Sequence, residues 1–342
     1  MRPARVLTLL ALALLAPHTA PAATQSLQSP SALLRAAMAA PTKISYVGEM
    51  QTVRFGAQKS EAAIYRIEHL APNLTRRWYL APQDLYGDSI ISHGETTYSV
   101  DVNHTRIVVT QDDAIDDQVA EDDNFALLNA NYSAVYGPDE TVDGRPVKLV
   151  LLNNKHTGET SMRVRIDVQT KLVVSREQYA SNGSLVAQSR FQALRFTSNI
   201  PPAIFTVPKT MPRVNGPSRG IPSNNLSVLL KSAGFAAQGP KYLPEGFVPT
   251  AGNVTDIRGV RSLHLLYSDG IRTISLFQNA KNAAVDMSHY RANDTRVENN
   301  DAQYVQEGPT TLLAWSEAGL HLALVGDLNL EELKKIAESI VP

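Results

Sequence analysis

The stretch that decides the fold is MRVRIDVQTKLVVSREQYASNGSLVAQSRFQALRFTSNIPPAIFTVP, residues 162–208. Apolar and polar residues alternate in three successive runs, which predicts three consecutive β-strands. Turn signals separate the runs, first at residues 167–170 and then at Asn182 and Gly183. For the Asn-Gly pair we predict a type I′ turn, because that turn requires positive φ at both central residues. Such a meander is a curved antiparallel sheet with one apolar face, and the stretch contains no catalytic constellation, so it favours binding over catalysis.

The first 23 residues are typical of a signal peptide. Arg2 and Arg5 precede a short apolar run, and small residues up to Ala22 favour cleavage there, which predicts export to the periplasm. An N-terminal membrane anchor is the alternative. The formal net charge of −1 argues against a nucleic-acid partner. The absence of cysteine excludes disulfides, thiolate metal sites and thiol catalysis, and we expect no cofactor.

Residues 24–208 are predicted to form the first domain. A helix at 31–40, with Ser31 as its N-cap, precedes period-two alternation from 43 to 109. A second helix at 124–132 leads into further strands that continue through Phe196. About eleven strands covered by two helices predict a mainly β, unclosed antiparallel barrel.

A Pro- and Gly-rich linker or extended strap, residues 209–225, precedes a smaller α+β domain at 226–342. In this domain Asp269 and Gly270 are another type I′ signal, and Asn329 and Glu332 have the spacing of a capping box. Its predicted elements are a helix at 226–233, strands at 261–268 and 271–278, a helix at 283–290, a hairpin at 311–326 and a helix at 330–340.

Two sequence patterns could indicate a catalytic or a metal site, and both have a simpler structural interpretation. Ser218 lies in a G-x-S-x-G pattern, but a nucleophile elbow needs a strand before the serine and a helix after it, whereas this motif lies among prolines. An acidic run could bind Ca²⁺, although no glycine interrupts it and a solvated loop before a helix explains it better. The run consists of Asp112, Asp113, Asp116, Asp117, Glu121, Asp122 and Asp123.

Aromatic residues recur along the first domain, and they form either ordinary core or the wall of a cavity left by incomplete closure. A cavity would suit an acyl chain, since 14 to 16 buried carbons contribute roughly 11–13 kcal/mol and association costs about 4 kcal/mol or more. The candidate cavity residues are Tyr46, Phe55, Tyr65, Trp78, Tyr79, Tyr98 and Phe125.

Several segments resemble the RseB/MucB family, and the end of the first domain, from Pro201 to Pro208, resembles the LolA/LolB-type fold. The first-domain segment is IDVQTKLVVSREQYASNGSLVAQSRFQAL at 166–194. The second-domain segments are LPEGF at 243–247, YSDGIRTISLFQ at 267–278 and LALVGDLNLEELKKIAESI at 322–340. The YSDG turn is the most specific of these, and its residues Tyr267, Ser268, Asp269 and Gly270 are our candidates for partner binding.

The resemblance implies a non-enzymatic periplasmic regulator. Such a protein binds the periplasmic part of a membrane-anchored anti-sigma factor, shields it from proteolysis, and releases it when lipidic products of envelope stress bind. A lipid or lipoprotein acyl chain would then be the ligand of the first domain. A LolA-like lipoprotein carrier and a hydrolase that uses Ser218, or histidines brought together by the fold, are the alternatives. The sequence leaves open whether the chain forms a homo-oligomer. The acidic run and the lack of a strongly basic face depart from the family pattern.

Overall fold

A computed structural model describes residues 28–56, 60–110, 122–216, 221–222, 225–257, 260–280, 287, 291–307 and 310–340. The predicted signal peptide, most of the acidic run, Ser218 and all but one residue of the predicted helix at 283–290 lie outside the described residues. Among the described residues, no helix has both the length and the apolar composition needed to cross a bilayer.

The first part of the chain forms a large sheet of twelve strands in the order β12-β6-β5-β4-β3-β2-β1-β11-β10-β9-β8-β7. Neighbours are antiparallel, except that β12 runs parallel to β6. The edge strands β12 and β7 are not paired with each other, so the predicted unclosed barrel is confirmed. The strands are β1 (Tyr46–Arg54), β2 (Glu61–Leu70), β3 (Leu74–Ala81), β4 (Ser89–His93), β5 (Thr96–Asp101), β6 (Arg106–Thr110), β7 (Tyr132–Val142), β8 (Arg145–Asn154), β9 (Thr160–Asp167), β10 (Val173–Tyr179), β11 (Leu185–Phe196) and β12 (Arg213–Asn215).

The meander at 162–208 contains β9, β10 and β11 as predicted, but the type of its second turn is different. Tyr179 pairs with Leu185, so five residues connect β10 to β11. Only Gly183 has positive φ, at 78°, while Asn182 does not. The type I′ prediction is therefore wrong at this turn, because a longer loop needs only one left-handed residue. Among the described turns of the large sheet, positive φ at both central residues occurs instead at Asp143 and Gly144, which join β7 to β8.

Two helices pack against the large sheet, α1 (Pro30–Ala39) and α2 (Asp122–Asn131). The N-cap of α1 is Ser29, whose Oγ accepts a hydrogen bond of 3.2 Å from the backbone N–H of Ala32. The prediction of Ser31 as the cap is wrong because Pro30 starts the helix, a position where its missing N–H costs nothing.

The rest of the described chain forms a small sheet of eight strands in the order β13-β14-β15-β16-β20-β19-β18-β17. Helices α3 (Leu226–Ser232) and α4 (Leu330–Glu338) pack against it, which confirms the α+β class. Asn329 and Glu332 form the predicted capping box of α4. The strands are β13 (Ile221–Pro222), β14 (Val248–Ile257), β15 (Val260–Ser268), β16 (Thr273–Ala280), β17 (Asn293–Val297), β18 (Asn300–Glu307), β19 (Thr310–Glu317) and β20 (Leu320–Gly326).

Both ends of the predicted linker take part in sheets. Strand β12 joins the edge of the large sheet next to β6, and β13 pairs with β14 at the edge of the small sheet. The segment therefore covers one edge of each sheet, as expected of an extended strap. The exact domain boundaries at 208/209 and 225/226 stay a prediction.

Candidate functional site

A cavity of about 580 Å³ lies between the large sheet and the helices α1 and α2. Leu34 and Ala37 of α1 and Leu128 of α2 close it on one side, and residues from β1 to β4 and from β8 to β11 form the opposite wall. A volume of this size is within the usual range for small-molecule sites. The twelve-stranded sheet is wider than the two short helices that cover it. Part of the space between the sheet and the helices therefore remains open.

The polarity of the wall changes along three neighbouring strands. At one level, Met50 of β1 is opposite Phe191 of β11, and both side chains line the cavity. Two residues further along β1, Thr52 is opposite Ser189, which is in turn opposite Arg176 of β10. The wall thus changes from apolar to polar at the same level in all three strands.

Two of the seven candidate aromatics line the cavity, Tyr46 and Tyr65. The Tyr46 ring stacks on His69 at 5.0 Å and meets Phe191 edge-on at 5.7 Å. The Tyr65 hydroxyl donates a hydrogen bond to Sδ of Met50. These contacts fix both rings in the apolar part of the wall.

The other five candidates lie outside the wall of this cavity. Tyr79 packs against Tyr65 from the adjacent strand, with ring centroids 5.6 Å apart. Trp78 follows Arg77, which lines the cavity, so period-two alternation turns Trp78 to the opposite face of the sheet. Tyr98 packs in a separate cluster near β5 and β6, Phe125 packs with α1 and α2, and Phe55 follows the end of β1 half-buried.

Charged residues of the wall were missed by the sequence reasoning, which considered only aromatics. Arg54, Arg77 and Arg176 line the cavity, as do Glu95 and Asp327. The signal that could have found the arginines is the same alternation, because Arg54 lies at an even spacing from Tyr46 on β1. Asp327 belongs to the small-sheet part of the chain and could not have been placed there from local patterns.

The candidate YSDG turn, Tyr267, Ser268, Asp269 and Gly270, is buried, and it lies where the small-sheet unit meets the large-sheet unit. The Tyr132 hydroxyl donates a 2.7 Å hydrogen bond to Oδ2 of Asp269, and Nε of Arg272 donates one of 2.9 Å to the same oxygen. Asn131 Nδ2 donates to the backbone oxygen of Asp269 at 3.0 Å. Partner binding by this turn stays a prediction, and it requires the two units to separate.

The backbone of the YSDG turn also differs from the type I′ turn predicted for it. Ser268 pairs with Thr273, so four residues make the connection, and Asp269 does not have positive φ. Instead, Oδ1 of Asp269 accepts hydrogen bonds from the backbone N–H groups of Ile271 and Arg272 at 2.9 and 2.7 Å. The aspartate therefore holds its own turn with one oxygen and contacts the large-sheet unit with the other.

Burial and charge shift the pKa of the residues around Asp269. Desolvation, reinforced by the negative charge of Asp269, raises the pKa of the Tyr132 hydroxyl far above its ordinary value. Burial acts to lower the pKa of Arg272, but the attraction of Asp269 outweighs it and the net shift is upward. Tyr132 thus stays a neutral donor and Arg272 stays charged, which leaves the buried carboxylate fully hydrogen-bonded.

The turn also packs tightly against α2 and the hydrophobic core beside it. Gly270 has φ of +100°, and a Cβ there would lie 2.7 Å from the backbone nitrogen of Leu128. Ile271 is buried in the same apolar cluster as Leu34 and Leu128, both of which line the cavity. The cavity wall and the contact between the two units therefore share side chains.

Comparisons with known proteins identify a common fold. The model of a family described as a domain of unknown function, DUF4367, matches residues 239–340. No curated protein sequence matches the chain. A crystal structure of MucB in complex with MucA(peri) has a TM-score of 0.62 and 15% identity, and the match covers 92% of this chain and 99% of that one.

Two further structures agree with this result. The MucA/MucB complex of Pseudomonas aeruginosa gives a TM-score of 0.61 at 14% identity, over 92% of this chain and 98% of that one. A crystal structure of MucB alone gives 0.51 at 16% identity, over 91% and 96%. Both sheets are included in each match, and the chain therefore has the RseB/MucB-like fold, an unclosed barrel followed by an α+β unit.

Proposed function

We propose that this chain is a periplasmic, non-enzymatic regulator of the RseB/MucB type. In this proposal it binds the periplasmic part of a membrane-anchored anti-sigma factor, and a lipidic ligand in the cavity controls that binding. The observation that carries the proposal is the extent of the structural match, since a MucB bound to MucA(peri) corresponds to 92% of this chain. The match extends over both units, so a regulator is favoured over a protein that only shares the barrel.

The contact between the two units offers a mechanism by which a ligand in the cavity would affect binding of the anti-sigma factor. Ile271 of the small-sheet unit belongs to the same apolar cluster as Leu34 and Leu128, which line the cavity. A ligand that displaced these side chains would disturb the packing of Ile271. We infer that the YSDG turn serves mainly to hold the two units in their relative position.

The alternative is a LolA-like lipoprotein carrier. A carrier would use the same cavity, but it would not need a second unit. A carrier would bind a lipid without binding an anti-sigma factor. The buried network around Asp269 favours the regulator, because it joins a second unit to the cavity-bearing one.

The test is a binding measurement with the mature chain, residues 24–342. Its partner is the periplasmic segment of a single-span anti-sigma protein encoded next to this chain's own gene. We expect a complex in isothermal titration calorimetry, and weaker binding when a lipid is added. Absence of a neighbouring anti-sigma gene, or a flat titration with its product, would overturn the proposal of a regulator. Lipid binding together with a flat titration would favour the carrier.

A further inference from the structure

We propose that the cavity binds an amphiphile with an anionic head group, a carboxylate or a phosphate, held by Arg54 and Arg176. Its acyl chain would lie along the apolar wall toward Tyr46. This inference rests on the proposed lipid binding and adds the charge and the orientation of the ligand.

The strand register supplies the amphipathic surface. On one face of β1, the residues that line the cavity are, in order, Tyr46, Met50, Thr52 and Arg54. This face therefore changes from apolar to polar along the strand. The strand rises about 3.3 Å per residue, so the two ends of this series are roughly 26 Å apart. An amphiphile has the same asymmetry, with one long apolar part and one compact polar end.

Neighbouring strands repeat this polarity at the same levels. Beside Met50, the wall consists of Phe191 and the buried Val174, which pack in one apolar cluster. Beside Thr52, it consists of Ser189 and Arg176, and at the next level the small apolar Ala187 lies between Arg54 and Gln178. The polar end is therefore a patch across three strands rather than a single side chain.

The charges of the wall fix the direction of the ligand. Arg54 and Arg176 lie at the polar end, where the exposed Glu61 opposite Arg54 offsets one of the two charges. Toward the Tyr46 end, Glu95 lines the cavity together with Arg77, which is opposite Ile67 at the level of Gly48, so these two charges offset each other and leave no net attraction for an anion. Guanidinium groups bind carboxylates and phosphates through paired hydrogen bonds, so the arginine end is the one that suits an anionic head group.

The placement of Glu95 follows from the pairing of four strands. Tyr46 is opposite His69, His69 is opposite Thr75, and Thr75 is opposite Ser92. Glu95 lies in the turn just beyond Ser92 and His93, which puts it on the Tyr46 side of the cavity. Asp327, held by a 2.8 Å hydrogen bond from the Thr310 hydroxyl, reaches the wall from the small-sheet unit.

The experiment compares ligands with one chain length and different head groups. Dodecanoate, dodecyl phosphate and dodecanol each displace the neutral fluorescent probe N-phenyl-1-naphthylamine from the mature chain. We expect both anions to bind more tightly than dodecanol, by about fivefold for each arginine contact, with a difference that shrinks as salt is added. A stronger effect with dodecyl phosphate would identify a phosphorylated lipid as the source, and a stronger effect with dodecanoate a free fatty acid.

Two variants and a matched control locate the head group. Arg54→Gln and Arg176→Gln are each expected to lose about fivefold in affinity for the anions and to leave dodecanol binding unchanged. Arg195→Gln removes the same charge from an exposed position of β11 and is expected to change neither. Equal affinity for anions and dodecanol, or anion preference retained in both variants, would overturn this inference alone. If none of the three ligands displaces the probe and the probe itself does not bind, the proposed lipid binding fails instead.

Discussion

The large and small sheets of this protein follow the same rules of strand pairing but pack their apolar faces differently. The small sheet has eight strands, and its buried residues form one continuous cluster with α3 and α4. The large sheet has twelve strands, and its buried residues separate into three clusters, two of which border the open cavity. The difference shows that a sheet wider than its covering helices leaves a volume that a ligand can use.

The contact between the two sheets should be the most sensitive part of the molecule. Asp269→Ala removes the acceptor of Tyr132 and leaves Arg272 as an uncompensated buried charge, so we expect a loss of about 3–5 kcal/mol in the free energy of unfolding. Urea titration measures this loss. Asp139→Ala removes a carboxylate that is 75% exposed and pairs with Lys148, and it should cost less than about 1 kcal/mol. Similar effects for the two variants would show that the buried network does not stabilise the protein.

A matched pair of leucines tests the difference in packing directly. Leu276 is fully buried in the small-sheet core, while Leu172 is buried at the edge of the cavity. Leu276→Ala should cost about 4 kcal/mol and Leu172→Ala about 2 kcal/mol, because a side chain beside an open volume has fewer contacts to lose. The free energies of unfolding from urea titration compare them, and equal costs would contradict the picture of an open cavity.

The small sheet should also give the protein a specific pH dependence. Burial lowers the pKa of His264 to about 4, and its ring stacks on Phe277 at 4.3 Å. An unfolded histidine titrates near 6.5, so the unfolded chain binds more protons between these values and stability falls as pH decreases from about 6.5 to 4. We expect this residue to account for about 3 kcal/mol of that fall.

His264→Gln, followed by urea titration at several pH values, tests the assignment. The variant should lose less stability than the parent over this window. Gln192→Ala is the control, since it removes no titratable group from an exposed position of β11, and it should keep the parent's pH dependence. An unchanged pH profile in His264→Gln would contradict the assignment.

Filling the cavity should have the smallest effect on stability and the clearest effect on binding. Thr52→Leu directs a larger apolar side chain into open volume, so the free energy of unfolding should change by less than about 1 kcal/mol. Binding of N-phenyl-1-naphthylamine should weaken, because the volume is occupied. Thr141→Leu, at an exposed position of β7, should leave probe binding intact. Undiminished binding in Thr52→Leu would place the ligand elsewhere.

Much of the fold could be predicted from alternation and turn chemistry. Strands β1 to β11, the helix at α4 and its capping box were predicted because their patterns are local and strong. Strands β14, β17 and β18 were not predicted. Their sequences, such as VPTAGNVTDI at 248–257, are interrupted by polar and small residues, and pairing with neighbours decides that they are strands.

The candidate site was predicted less well, for a physical reason. Alternation shows that two residues share a face of a strand, but not which face turns toward the cavity. Tyr46 and Tyr65 line it, while Trp78 lies on the opposite face of β3. The same limit explains why Arg54 and Arg176 were missed.

By itself, the sequence determined the β-rich class, the order of most strands, the two-part organisation as a hypothesis, and the caps and turns that depend on near neighbours. Tertiary structure alone decided the cavity and the contact between the two sheets. Tyr132 and Asp269 are 137 positions apart, and no local pattern relates residues at that separation. The volume of the cavity likewise depends on how far a twelve-stranded sheet extends beyond two short helices, which is a property of the packed molecule and not of any one segment.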